Sequence, residues 1–190
     1  DNLEPQSGTS LTLGASGDSI SLASGATQSG FGKVAQVLST TLSSTVSISS
    51  SSTSTFVDIS GLSVNITPTS TSSKILIFYV VHAAADTGSR HIRLMRDSTA
   101  ISIGDAAGSS QIRSTSSARP SNPVYDYDTF NMAGQFLDSP SSSSQLTYKM
   151  QATLGATYSG TFYVNRARTV VDADYSPVLP SSITVMEILN

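Results

Sequence analysis

A repeat near the N-terminus limits what this chain can fold into more than any other feature. The unit Gly8-Thr9-Ser10-Leu11-Thr12-Leu13 returns nine positions later as Gly17-Asp18-Ser19-Ile20-Ser21-Leu22. Each unit carries two apolar side chains two positions apart, which lie on one face of a short strand. One unit buries too little apolar surface to offset the entropy of ordering it, so we expect copies of the chain to associate around a common axis. The expected axial side chains are Leu11, Leu13, Ile20 and Leu22.

The composition favours a β-rich fold. The 190 residues include 39 Ser and 21 Thr, yet 38% of the chain is apolar, which is too much for a disordered low-complexity protein. Strands accommodate both groups, because Ser and Thr occupy the solvent face and the turns while apolar side chains occupy the other face.

The charge and the lack of cysteine argue against several classes of protein. Ten basic side chains stand against 13 acidic ones, for a net charge of -3, so we expect no nucleic-acid partner. No run approaches the roughly eighteen apolar residues of a membrane-spanning helix, and the first residues lack a charged-then-apolar pattern, so we expect neither membrane insertion nor an export signal. A chain without cysteine has no disulfides, thiol catalysis or zinc–thiolate sites.

A Gly-rich step, Ser29-Gly30-Phe31-Gly32, divides the chain into two parts. We expect residues 1–32 to form a short shaft of β-repeats and residues 33–190 to form a C-terminal head domain. Because the chain begins with Asp1 rather than Met, we expect it to be a piece or a processed form of a longer protein.

The head contains strand signals at short intervals, separated by Gly, Pro, Asn or Ser. Residues 34–49 predict one or two strands with a turn near Ser43-Ser44. A helix is the weaker alternative, because residues 34, 37, 38 and 42 roughly match helical spacing but the Ser/Thr content argues against it. The whole pattern predicts an all-β fold with a trimeric shaft and an antiparallel jelly-roll sandwich as head. The later predicted strands are Thr55–Ile59, Leu62–Thr67, Lys74–Ala83, Arg90–Arg96, Ala100–Ile103, Thr129–Leu137, Gln145–Thr153, Thr161–Asn165 and Ser182–Leu189.

Side-chain patterns predict how individual strands are covered. The segment Lys74–Val81 is apolar on both faces, so we expect a central strand that is covered on each side. The segments Ile92–Arg96 and Tyr148–Ala152 alternate, so we expect their charged or polar side chains to point to water. The arginines between residues 90 and 119 favour a solvated face, with a basic patch for an acidic polysaccharide as the alternative. They are Arg90, Arg93, Arg96, Arg113 and Arg119.

Segments of both parts resemble fibre proteins of tailed bacteriophages, especially marine phages that infect cyanobacteria. In the N-terminal part the resemblance rests on residues 17–27, which are similar to fibre shaft repeats. It implies a homotrimer, with the N-terminal end toward the virion and the head outward in host attachment. The His-x-His pairs that bind iron in some long tail-fibre tips are absent, so no metal is expected. In the head the similar segments are Thr55–Ile59, Ser73–Ile77, Arg93–Asp97, Leu137–Pro140, Thr147–Gln151 and Ser182–Ile188.

The sequence offers little catalytic chemistry. His82 and His91 are the only histidines, and no Ser stands in a Gly-x-Ser-x-Gly elbow. His82 follows the most apolar strand, where a hydrogen-bonded core or interface histidine is the favoured interpretation. We expect His91 to be exposed. We therefore predict no catalytic residue, no cofactor and no metal site.

Two acidic and aromatic loops are the candidate receptor-binding sites. Aromatic faces stack on sugar rings and carboxylates accept hydrogen bonds from sugar hydroxyls, so such loops can bind a surface glycan. The favoured alternative is structural, with Tyr rings packed over an edge or interface and Asp in turns. Calcium at the Asp-x-Asp pairs and glycosidase action are further alternatives. The residues are Tyr125, Asp126, Tyr127 and Asp128 in the first loop, and Asp172, Asp174 and Tyr175 in the second.

The predicted function is that of a structural virion appendage that attaches to the host cell through its head. The expected partners are further copies of the chain, other virion proteins at the N-terminal end, and a host surface glycan or protein. A capsid decoration or head fibre with a stabilising role is the first alternative. A glycan-degrading fibre enzyme and a cellular trimeric signalling head of similar shape are the others.

Overall fold

The computed structural model describes residue 24 and residues 33–50, 55–119, 126–155 and 158–189. All its strands lie in one compact unit, Lys33–Asn190. The fold is all-β and antiparallel, with no helix in the described ranges. The strands are β1 (Val34–Leu42), β2 (Val46–Ser50), β3 (Val57–Ile66), β4 (Lys74–Ala85), β5 (Arg90–Arg96), β6 (Thr99–Ile101), β7 (Ser116–Ala118), β8 (Phe130–Asp138), β9 (Leu146–Leu154), β10 (Gly160–Val164) and β11 (Ser181–Ile188).

Six strands form the first sheet, which we call sheet A. β4 lies at its centre, because β8 pairs with one edge of β4 while β11 and β10 pair in succession along the other edge. β1 pairs with β11 and β2 pairs with β10, so two consecutive strands form the outer position on that side. Sheet A therefore has four strand positions, in the order β1/β2, β11/β10, β4 and β8.

The other five strands form sheet B in the order β3, β9, β5 and β6. β6 and β7 pair with opposite ends of β5, so they share the fourth position. Apolar side chains from both sheets meet in a single core, which makes the unit a two-layer sandwich. The fully buried core residues include Ile75 and Ile77 of β4, Ile92 and Leu94 of β5, Met150 of β9 and Ile183 of β11.

Most of the predicted strands are present, with differences that have local causes. Residues 34–49 form two strands with a break at 43–45, as the Ser43-Ser44 turn predicts. The two strands predicted before and after Gly61 are one strand, β3, which has a register shift and in which Gly61 has φ 82. Glycine adopts this left-handed conformation without steric cost, so the strand bends there and continues.

Two expectations about side-chain direction are wrong in part. β4 is central, but only its inner face is covered within the described residues, because Phe78 on the outer face is 37% exposed. Arg93 points outward as expected. Arg96 instead lies on the side of β5 that faces the core, and it forms an ion pair with the buried Asp138 at 2.8 Å. Tyr148 also donates a hydrogen bond to Asp138, and this contact and burial raise the pKa of Tyr148.

Glu187 of β11 is a fully buried carboxylate at the end of the sandwich where β1 begins. It accepts hydrogen bonds from Gln36 Nε2 and from both the backbone N and Oγ1 of Thr69, each at 2.7 Å. Burial alone would raise the pKa of Glu187, but these donors lower it to about 2. The charged group therefore fixes the segment before β4 to the first and last strands.

The predicted shaft lies outside the described residues, apart from Ser24. This applies to Leu11, Leu13, Ile20 and Leu22, so the trimer axis stays a prediction. The boundary predicted after Gly32 also stays a prediction, because residues 25–32 lie outside the described residues.

Candidate functional site

Two loops meet at one end of the sandwich, and their contacts centre on Arg168. Asp86 directly follows β4, residues 126–129 precede β8, and residues 165–180 connect β10 to β11. The Arg168 guanidinium lies 3.2 Å from Asp126 Oδ1 and 3.5 Å from Asp86 Oδ1. The backbone N of Thr169 donates to the carbonyl of Asp126 at 3.0 Å. We call Asp86 and these two loops the loop cluster.

Asp86 connects the loop cluster to the strands. Its Oδ1 accepts a hydrogen bond from the Tyr163 hydroxyl and its Oδ2 accepts one from Thr161 N, both at 2.8 Å. Burial opposes ionisation, but these hydrogen bonds and the nearby Arg168 leave the pKa of Asp86 below its usual value. Arg166 stacks its guanidinium 4.6 Å from the centre of the Tyr163 ring. The base of the loop cluster is therefore held by charged and aromatic contacts on β10.

The exposed part of the loop cluster carries an aromatic pair. The Tyr127 and Tyr175 rings lie 4.7 Å apart at an interplanar angle of 73°, an edge-to-face arrangement. Tyr175 is 57% exposed, on a turn in which the Ser176 hydroxyl accepts a hydrogen bond from Val171 N. Burial raises the pKa of the Tyr127 hydroxyl, as do Tyr175 and Asp126. This arrangement presents an aromatic edge with hydroxyl and carboxylate groups beside it.

The structure brings some of the predicted site residues together. Tyr127 and Tyr175 are in contact, and Asp126 joins the second loop through Arg168. Asp172 and Asp174 are exposed on the turn that carries Tyr175. Asp128 is half-buried. Tyr125 lies outside the described residues, so its prediction stays a prediction.

Two arginines near these loops have positions that the sequence pattern does not predict. No local pattern relates Arg168 to Asp86 or Asp126, which lie 82 and 42 positions away. Arg90 was expected on a solvated face, but it is fully buried. Its guanidinium lies 4.6 Å from the centre of the Phe130 ring. Burial lowers the pKa of Arg90, and the nearby Asp128 carboxylate acts in the opposite direction.

The histidines have mainly structural contacts. His82 is half-buried and its Nδ1 lies 2.8 Å from the Pro180 carbonyl oxygen, in line with the hydrogen-bonded interpretation. His91 is half-buried rather than exposed, so that expectation is wrong, and burial lowers its pKa. Its Nδ1 lies 3.5 Å from Ser114 Oγ, the upper limit of a hydrogen bond. Neither imidazole pairs with a carboxylate within the described part of the chain.

The described residues contain neither a cluster of metal ligands nor a membrane-spanning helix. Over the residues that the structure describes, no three His, Asp or Glu side chains are grouped so that they could hold a metal ion. In the same part of the chain, no helix is long and apolar enough to cross a membrane. No protein-family model matches the chain, and no curated protein matches its sequence.

Proposed function

We propose that this chain is a fibre subunit of a tailed bacteriophage, exposed on the virion surface, and that the loop cluster attaches it to a host cell. The observation that carries the proposal is the contact between two loops, each of which the sequence predicts independently as a candidate binding site. The half-buried Tyr127 and the exposed Tyr175 form one aromatic pair, with Asp126, Asp172 and Asp174 on the same two loops. Such a surface suits a glycan, because aromatic rings stack on sugars while carboxylates and hydroxyls bind sugar hydroxyls.

We also propose that the sandwich is a jelly roll. Counting β1/β2, β6/β7 and β10/β11 as single positions gives eight strands in two sheets of four. In chain order the positions run 1-8-3-6 in sheet A and 2-7-4-5 in sheet B. Neighbouring positions that are distant in sequence, such as the first beside the last, support the double Greek-key connection of a jelly roll.

The N-terminal repeat supports a homotrimer, since it needs further copies to bury its apolar side chains. Three copies would present three identical loop clusters. Weak sites that bind together gain avidity without any new contact, because the second binding event becomes intramolecular. Attachment would then depend on both the loop cluster and the assembly.

A cell-binding experiment tests the attachment function. Fluorescently labelled protein is incubated with a panel of marine cyanobacterial strains, and Tyr175→Ser is compared with Val178→Ser. The two side chains lie on the same loop and are 57% and 58% exposed, so they are a matched pair. We expect Tyr175→Ser to reduce binding to a bound strain by about tenfold or more, because aromatic side chains dominate binding energy, and Val178→Ser to leave it nearly unchanged. Equal binding by wild type and Tyr175→Ser would contradict the role of the loop cluster.

A further inference from the structure

The outer face of sheet A, which points away from the core, includes three rows of four side chains across β1, β11, β4 and β8, with Lys74 and His82 of β4 beyond the first and third rows. The register places Leu76 of β4 beside Met186 of β11 and Leu137 of β8, so the first row is apolar throughout. Phe78 and Val80 lie in the next two rows. In strand order the rows are Val37, Met186, Leu76 and Leu137; Ser39, Thr184, Phe78 and Gln135; and Thr41, Ser182, Val80 and Ala133.

None of these twelve side chains is ionisable. The outer face of sheet B is different, because Asp58 of β3 contacts both Lys149 and Gln151 of β9. Gln151 in turn accepts a hydrogen bond from Arg93 of β5. An antiparallel sheet that faces water normally carries such polar and charged groups, whereas the cores of protein interfaces are depleted of charge. The three rows on sheet A are therefore depleted of charge in the way that interface cores are.

The apolar side chains of this face are accessible in the single chain. Val37 is 52% exposed, Leu137 is 48% exposed and Phe78 is 37% exposed. Contiguous exposed apolar patches of this kind are uncommon on monomers and usually mark interaction surfaces. The pattern of β4, apolar on both faces, also predicts a cover on each side, and the described residues of this chain supply only one.

We propose that the outer face of sheet A packs against a second copy of this chain, which rests on the homotrimer of the proposed function. Two observations favour a copy as the occupant. The chain enters this unit at Lys33, directly before Val34, and the Lys33 carbonyl accepts a hydrogen bond from Leu189 N at 2.8 Å. In copies joined through residues 1–32, each chain would therefore enter its sandwich at the same corner of the outer face of sheet A. The three rows carry no ionisable group, so they meet their own copy without like-charge repulsion.

The cysteine-free chain allows a direct test of this cover. Leu137→Cys and Val57→Cys each introduce a single thiol at an exposed apolar position, 48% exposed on sheet A and 43% exposed on sheet B. Both full-length variants react with a charged maleimide, while light scattering gives the mass of the same sample. We expect the thiol at 137 to react about tenfold or more slowly than the thiol at 57 in the folded protein, and equally fast in denaturant, because thiol reactivity depends on access.

The mass identifies the occupant, because purified protein contains no other partner. A mass near 59 kDa, three times the chain mass of 19.7 kDa, together with protection at 137, supports the proposal. Equal reaction rates in the folded trimer would overturn it and would leave the trimer in place. Protection in a 19.7 kDa monomer would also overturn it, because the cover would then come from the same chain.

A charge introduced on the face gives a second readout. Gln135 is exposed on the edge strand β8 beside Phe78, so Gln135→Lys adds a cation to the middle row of the face without disturbing the core. We expect the concentration at which half of the assembly dissociates to rise on the order of 100-fold, because buried unpaired charge is costly. An unchanged value would count against the interface.

Failure of wild-type protein to bind any host strain would instead contradict the attachment function, whatever the mass and thiol results.

Discussion

Replacing Glu187 with Gln should destabilise the protein at neutral pH and change how its stability depends on acid. One carboxylate oxygen accepts two hydrogen bonds from Thr69 and the other accepts one from Gln36. In Glu187→Gln an amide group replaces one of these acceptors. If the new carbonyl keeps the Thr69 donors, the new NH2 group faces Gln36 Nε2, which already donates to the Thr67 carbonyl. The variant thus loses a charge-assisted contact and leaves a buried donor unpaired.

The size of the effect follows from the pKa of Glu187, which falls from its ordinary value of 4.5 to about 2 in the folded protein. Each pKa unit corresponds to about 1.4 kcal/mol, so the charge contributes about 3 kcal/mol to the free energy of unfolding. A lowered carboxylate pKa stabilises the fold fully above the unfolded value. The contribution therefore decreases as the pH falls below about 4.5, is roughly half as large at pH 3, and is absent well below pH 2.

Urea unfolding at pH 7, 5, 4 and 3 measures this effect at one ionic strength and one protein concentration, because assembly makes stability concentration-dependent. The free energy of unfolding of wild type should exceed that of Glu187→Gln by about 3 kcal/mol at pH 7 and by about half of that at pH 3. Asp105→Asn, in an exposed loop, is the control for a general change in net charge and should follow wild type at every pH. A gap of the same size at pH 7 and pH 3 would refute the reasoning, because the carboxylate charge would then contribute nothing.

Substitutions at two further positions test contacts on sheet A. Asn165 has φ 65, and its Nδ2 donates to the carbonyls of Leu42 and Ser44, so Asn165→Ala should cost about 2–4 kcal/mol in urea unfolding. Asn165→Gly should cost about 1 kcal/mol less, because glycine tolerates this φ, and equal losses would show that the backbone is not strained. Gly134 of β8 lies opposite Tyr79, and an added Cβ would approach the ring to 2.7 Å at Cζ. Gly134→Ala should therefore cost about 1–3 kcal/mol in thermal unfolding, and an unchanged midpoint would mean that the Tyr79 ring moves freely.

Local patterns were sufficient for most strands of the head. The alternation in Tyr148–Ala152 correctly predicts that Lys149 and Gln151 point outward, because side chains in a strand have a period of two. The same rule could have corrected the expectation for Arg93 and Arg96. Residues three positions apart on a strand lie on opposite faces, so both could not point to water.

Contacts between distant parts of the chain had no local signal. Tyr127 and Tyr175 are 48 positions apart, and only the sandwich brings their loops together. The short strand β7 has only three residues and a Ser-rich sequence, so no periodicity marks it. Arg90 shares the inward face of β5 with Ile92 and Leu94, but the contact of its guanidinium with Phe130, 40 positions away, has no local signal.

The connection between β10 and β11 has a consequence for how this protein can be altered. Both strands pair with the same edge of β4. Residues 165–180 therefore leave that edge at the end of β10 and return to it at the start of β11. The two ends are fastened together, because Leu179 N donates to the Asn165 carbonyl and Ser181 Oγ donates to Asn165 Oδ1. A peptide of different length or sequence grafted between these fastened ends would leave the strand pairing intact. If the loop cluster binds a receptor as proposed, exchanging the exposed part of this segment would change binding preference while the fastened ends hold the strand pairing.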